Sequence, residues 1–176
     1  MKKLLLLPIL LFALASCAQK SEKTDDTSFT KEALNDKMKS LTDGKEIAFK
    51  DVLDKYKGKV VVIDIWASWC PDCIKGMDKV HALQNKYKSK DVVFLFLSYD
   101  KTEEAWRKGI EKYHVNGEHY LISSKWKGGA FSEAVRLDWI PRYMVVDKFG
   151  KIAHFKAIEA DDAKMAATLN GLVNKK

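Results

Sequence analysis

Hydrophobic residues come in short dense runs along this chain, and each run ends in a polar or glycine-bearing break. Residues 59–66, KVVVIDIW, and 92–98, VVFLFLS, are β-branched or aliphatic almost throughout. Unbroken runs of that length predict strands buried on both faces. Residues 142–147, RYMVVD, predict a third strand, joined through the turn residues 147–150 to a hairpin partner at 151–156, KIAHFK. Around the turn TDGKE, residues 38–41 and 47–49 predict a short hairpin near the start, and 118–122 a further short strand. Between these lie helical patterns at 51–56, 70–87, 102–113, 129–135 and 161–173, with Glu103 and Glu104 placed in the first turn of the third. Strands alternating with helices predict an α/β domain, a central sheet covered by helices on both faces.

The first residues stand apart from this pattern. Met1-Lys2-Lys3 is a basic start, followed by an apolar run at 4–14 that is shorter than a membrane span. Residues 1–16 therefore read as a signal peptide. The polar stretch AQKSEKTDDTS after Cys17 lacks large apolar residues and reads as a flexible tether, with 17–30 the tethered N-terminus and 31–176 the domain. At 176 residues the chain has room for one well-cored domain. The formal charge of +7 falls to about +5 once Lys2 and Lys3 are removed, and the remaining lysines alternate with acids, as in KEALNDKMK. Such mixed charge is a solvated surface, not the concentrated basic patch that nucleic acid requires. No flavin or nicotinamide motif is present, so no cofactor is expected, and a monomer is.

The chain has three cysteines, Cys17, Cys70 and Cys73. A bridge between Cys70 and Cys73 closes too small a loop to remove much entropy from the unfolded chain, so the pair is poorly suited to be a staple. Cys70 falls where a buried strand hands over to a helix. Its sulfur then faces unpaired backbone N–H groups, which favour a thiolate and lower its pKa, in sites of this kind to about 3.5–7.5. Pro71 suits the first turn of a helix. Cys73, three residues on, returns to the same face and can resolve a mixed disulfide. Bound metal is the alternative use of the pair, but His81, His114, His119 and His154 have no close, repeated spacing with the cysteines. The five tryptophans are core by default; Trp69, beside the nucleophile, is the exception, a partly exposed platform for substrate.

The whole stretch VVIDIWASWCPDC resembles the strand and active-site segment of the thioredoxin superfamily. IPRYMVVD resembles that superfamily's cis-proline loop, and WIPRYMVVDKFGKI is similar to the TlpA/ResA-like branch of membrane-tethered thiol-disulfide oxidoreductases. The resemblance runs from about residue 41 to 172. It implies a thioredoxin-like fold with a mixed sheet and an N-terminal β-hairpin extension. It also implies Cys70 as nucleophile, Cys73 as resolving thiol and Asp64 as the buried acid that serves Cys73. Pro141 would be the cis-proline that orders substrate, with Trp69, Pro71 and Ile140 beside it. Leu14-Ala15-Ser16-Cys17 resembles a bacterial lipobox, which implies lipid on Cys17 and an extracytoplasmic, membrane-anchored protein facing the periplasm. The implied partners are protein disulfides and a membrane thiol-disulfide donor that recharges the pair. Sco-like copper carriers share the fold and use two cysteines and a histidine, so copper binding is the second reading. Peroxidase chemistry of the peroxiredoxin kind would want a threonine or serine where Ala67 stands.

Two departures carry expectations. Proline usually precedes the second cysteine in this superfamily; here Asp72 does. Its carboxylate opposes the Cys70 thiolate by about 1 kcal/mol or less at the surface, partly offset by Lys75, and so makes the couple more reducing. Ile140, where many relatives carry threonine, leaves that edge of the site apolar.

Overall fold

The computed structural model describes residues 26–174. Its elements run in chain order α1 (Lys31–Asn35), β1 (Lys37–Ser40), β2 (Glu46–Ala48), α2 (Phe49–Asp54), β3 (Val60–Trp66), α3 (Pro71–Lys75) and α4 (Met77–Tyr87). They continue β4 (Val92–Ser98), α5 (Glu103–Lys112), β5 (Glu118–Ile122), α6 (Ala130–Ala134), β6 (Arg142–Val146), β7 (Ile152–Ala157) and α7 (Ala163–Val173). The seven strands form one mixed sheet in the order β2-β1-β5-β4-β3-β6-β7, so the early hairpin is built into the sheet through β1 and β5. With its flanking helices this is the α/β, thioredoxin-like architecture that the sequence resemblance implied.

β3 is an interior strand, between β4 and β6, and all seven of its residues are buried. It runs parallel to β4, with Trp66 beside Ser98, and antiparallel to β6, with Asp64 beside Tyr143 and Ile65 beside Arg142. That register decides the site. The chain leaving β3, the chain leaving β4 and the chain entering β6 all meet at one end of the sheet.

Three differences from the sequence pattern are informative. Residues 70–87 form two helices, not one. At Gly76 the backbone N–H reaches the carbonyls of Asp72 (3.0 Å) and Cys73 (3.2 Å), which closes a first short turn before α4 begins. α1, five residues with one buried side chain, is too short to show a helical period, and its signal is Thr30, whose hydroxyl accepts from Ala33 N. Thr27 and Phe29, within the stretch read as tether, are packed onto the domain. Ile152 N donates to Thr27 O at 2.9 Å, and the Phe29 ring sits 5.0 Å from Phe49 and 6.4 Å from Phe131. Burying such a ring stabilises the fold by about 2 kcal/mol. The signal peptide and Cys17 lie outside the described residues. Among those residues, no helix is long and apolar enough to cross a membrane.

Candidate active site

Cys70 and Cys73 are joined as a disulfide with their Cα atoms 5.3 Å apart. Cys70 is the N-cap of α3, and its Sγ accepts the backbone N–H of Cys73 at 3.1 Å. Pro71 occupies the first helical position, where no N–H is needed. An N–H aimed at Sγ favours the charged form of Cys70 in the reduced protein. α3 is only one turn and a half, so this local donor outweighs any long helix dipole as the source of thiolate stabilisation. Both sulfurs are nearly enclosed, Cys73 more than Cys70.

Opposite the pair, the Ile140–Pro141 bond is cis, and Ile140 O lies 3.6 Å from Cys70 Sγ. Arg142, fully buried at the start of β6, anchors this loop from behind. Its Nη1 donates to Val135 O at 2.9 Å, and its Nη2 pairs with the Asp138 carboxylate, which Lys156 also holds. Those two cations hold Asp138 down to about 2, with the Lys156 hydrogen bond the larger cause.

Asp64 is 2% exposed, and neither of its carboxyl oxygens has a partner. Desolvation alone pushes its pKa up to about 8. Across the strand pair, burial and then the Asp64 charge push the Tyr143 phenol up as well. A carboxyl with that pKa is neutral over most of the physiological range and sits close to the ordinary thiol value of about 8.5, a good match for proton exchange with cysteine.

Asp100 belongs to no sequence pattern. It lies just beyond β4 and accepts from Ser68 N (3.2 and 3.1 Å), Ser68 Oγ (2.6 Å) and Ser98 Oγ (2.8 Å). It therefore clamps the loop two residues before Cys70. α5 presses on the same loop, where a Cβ on Gly109 would come within 2.3 Å of Ser68 Cβ.

The tryptophans also divide differently from expectation. Trp66 and Trp106 are core. Trp69 is 51% exposed, as a platform would be, but Trp139 is 62% exposed and Trp126 half-buried, and both stand beside the cysteines. Periodicity cannot reveal this, because each lies in an irregular segment. Trp69 donates its indole N–H to Tyr99 O at 3.4 Å, and its ring is 6.3 Å from that of Trp126. Trp139 donates its indole N–H to Asp72 Oδ2 at 3.3 Å, a bond between the cysteine loop and the cis-proline loop. This bridge separates two cavities. One, about 550 Å³, is walled by Trp69, Cys70, Trp126, Trp139 and Ile140. The other, about 320 Å³, is bounded by Lys75, Gly76, Lys79, Pro141 and Tyr143.

The histidines lie elsewhere. His81 Nε2 is 3.2 Å from His114 O, His154 Nε2 is 3.0 Å from Lys156 O, and His119 stacks on Phe96 with Nε2 at 2.9 Å from Val115 O. Burial lowers the pKa of His119. Among the described residues no group of three or more His, Cys, Asp or Glu is placed to share a metal, so the copper reading finds no third ligand beside the cysteines.

Comparison with known proteins gives one consistent family. Residues 27–170 match the Redoxin family. The chain is 31% identical over 130 residues to a thiol-disulfide oxidoreductase ResA of Bacillus thuringiensis subsp. konkukian, spanning 74% of this chain and 70% of that protein. It is 26% identical to a thiol:disulfide interchange protein DsbE of Haemophilus influenzae, over 99% of this chain and 97% of that one. The crystal structure of a thioredoxin domain of a thiol-disulfide oxidoreductase from Bacteroides vulgatus superposes with a TM-score of 0.64 at 25% identity, covering 84% of this chain and all of the other.

Proposed function

The chain belongs to the redoxin family and is a thiol-disulfide oxidoreductase of the ResA and DsbE kind, and from that premise we propose that it reduces the disulfides of extracytoplasmic proteins through Cys70-Pro71-Asp72-Cys73. The observation that carries the reading is the asymmetry of the cysteine pair. Cys70 Sγ receives a backbone N–H and borders the larger cavity, whereas Cys73, three residues on, is slightly more buried and does not line that cavity.

In the reduced protein the Cys70 thiolate attacks one sulfur of the client disulfide. A Cys70–client bond forms, the client S–S bond breaks, and the other client sulfur leaves as a thiolate. Cys73 then loses its proton and attacks Cys70 Sγ. The Cys70–Cys73 bond forms, the second client sulfur leaves, and two electrons have passed from the pair to the client. In its ionised form, populated as the pH approaches its raised pKa of about 8, Asp64 accepts the Cys73 proton and later returns it to the leaving sulfur or to solvent. Pro141 and Ile140 order the client chain against Cys70, and Trp69 and Pro71 form the adjoining surface. Asp72 keeps a carboxylate in the first turn of α3, which works against over-stabilising the thiolate and favours a donor of electrons over an acceptor. A membrane thiol-disulfide donor would return the pair to its reduced form. The Leu14-Ala15-Ser16-Cys17 segment supports a lipid anchor on Cys17 that holds the protein at the periplasmic side of a membrane.

The assignment of roles is tested by trapping. Reduced Cys73→Ser protein mixed with a disulfide-bonded protein should accumulate a covalent adduct, visible by mass spectrometry and lost on adding dithiothreitol. Reduced Cys70→Ser protein should accumulate none. Equal adducts from the two variants would refute the division of labour.

A further inference from the structure

We infer that the larger cavity is an aromatic subsite that selects client disulfides whose attacked cysteine stands next to a large apolar residue, with Trp126 and Trp139 as the specificity-determining side chains. This rests on the dithiol reading above, since the cavity matters only if Cys70 receives a client sulfur at its wall.

Its volume of about 550 Å³ falls in the usual range of ligand sites, roughly 300–1,000 Å³. Three indoles from three separate segments converge there: Trp69 after β3, Trp126 between β5 and α6, and Trp139 before the cis-proline. Tyr99 backs the wall, its ring 5.3 Å from that of Trp126. The N–H groups of Trp69 and Trp139 are already committed, to Tyr99 O and to Asp72. What these two offer a ligand is ring surface. Of the four large hydrophobic side chains left exposed among the described residues, Trp69, Trp139 and Ile158 border the two cavities by the cysteines, and only Phe149 lies elsewhere. Exposed apolar surface gathered in one place marks a binding site, whereas scattered single residues do not.

Charge and geometry narrow the occupant. The lining carries one cation, Lys127, against two carboxylates, Asp72, which accepts from Trp139, and Asp138, which Arg142 and Lys156 already engage. A small disulfide rich in carboxylates, such as oxidised glutathione, finds no matching cluster of cations. A polypeptide does fit. Attack brings the client cysteine into bonding distance of Cys70 Sγ, and its chain neighbour follows at a Cα spacing of about 3.8 Å, within reach of the indole walls.

The test compares two disulfide-linked peptides that differ only in carrying Phe or Ala beside the cysteine. Reduction by the reduced protein should favour the Phe peptide by at least about tenfold in kcat/KM, and the ratio should fall to within about twofold in Trp139→Ala and in Trp126→Ala. Trp139 is exposed enough for its truncation to leave the fold intact, and thermal melts would verify this. Phe149→Ala, an exposed aromatic far from the cysteines, should leave the ratio unchanged. A ratio near one in the unaltered protein with both peptides reduced, or a ratio that survives both tryptophan substitutions, overturns the subsite and leaves the oxidoreductase reading standing. Faster reduction of oxidised glutathione than of either peptide overturns it too. If neither peptide nor any small disulfide is reduced, the reading beneath it fails instead.

Discussion

Asp64 and Asp100 are both buried aspartates near the end of the sheet that carries the cysteines, and they are treated in opposite ways. Asp100 is surrounded by donors: a backbone N–H and two hydroxyls converge on it. Asp64 has none. The first arrangement fixes geometry, because every lone pair that is used ties another piece of the loop in place. The second fixes chemistry, because a carboxyl without donors holds its proton until the pH is far above the ordinary carboxylate range. The same functional group becomes a brace or a carboxyl that keeps its proton, according to its neighbours.

The sharpest way to break this comparison is through pH. Asp64 has a folded pKa above its unfolded one, so the stability it permits is fully present below about pH 4 and is lost as pH rises through about 8. Each unit of separation corresponds to about 1.4 kcal/mol. Asp64→Asn removes the titration. Its unfolding free energy relative to the unaltered protein should therefore climb by several kcal/mol between pH 4 and pH 8 and level off above, on top of a constant offset from the buried amide. Urea melts of both proteins across that range measure it, and parallel curves would mean that Asp64 is solvated or partnered.

A smaller effect is expected from the brace. Asp100→Ala leaves the Ser68 N–H and two hydroxyls without their acceptor and should cost about 3 kcal/mol at pH 7. It should also slow disulfide exchange, since Ser68 is two residues from Cys70. A melt shifted by less than a few tenths of a kcal/mol would show that water or the serines themselves replace the carboxylate.

How far the sequence foretold all this follows from the range of each interaction. β4 begins and ends where its hydrophobic run does, because a strand that enters the core writes its own boundaries. The pairing of Cys70 with Cys73, the burial of Asp64 and the cis bond at Pro141 were legible because these residues share a local pattern with a known superfamily. Asp100 was not, because its meaning lies in Ser68, thirty-two positions away. Trp126 and Trp139 were assigned to the core because a tryptophan in an irregular segment carries no period, and only the fold brings them beside Trp69. Arg142 stood in a recognised motif, yet its hold on Val135 and Asp138 depends on a loop conformation that composition does not encode. The break at Gly76 escaped for a related reason: glycine inside a helical pattern is tolerated often enough that its presence alone does not end a helix.

A dithiol made by Cys70 and Cys73 that reduces its clients must have a low reduction potential, and that potential can be measured. Equilibration in graded dithiol and disulfide buffers, with Trp69 fluorescence as the signal and alkylation to confirm thiol state, should give a two-electron couple near or below about −230 mV. A value near about −120 mV would make the protein an oxidant and contradict the account.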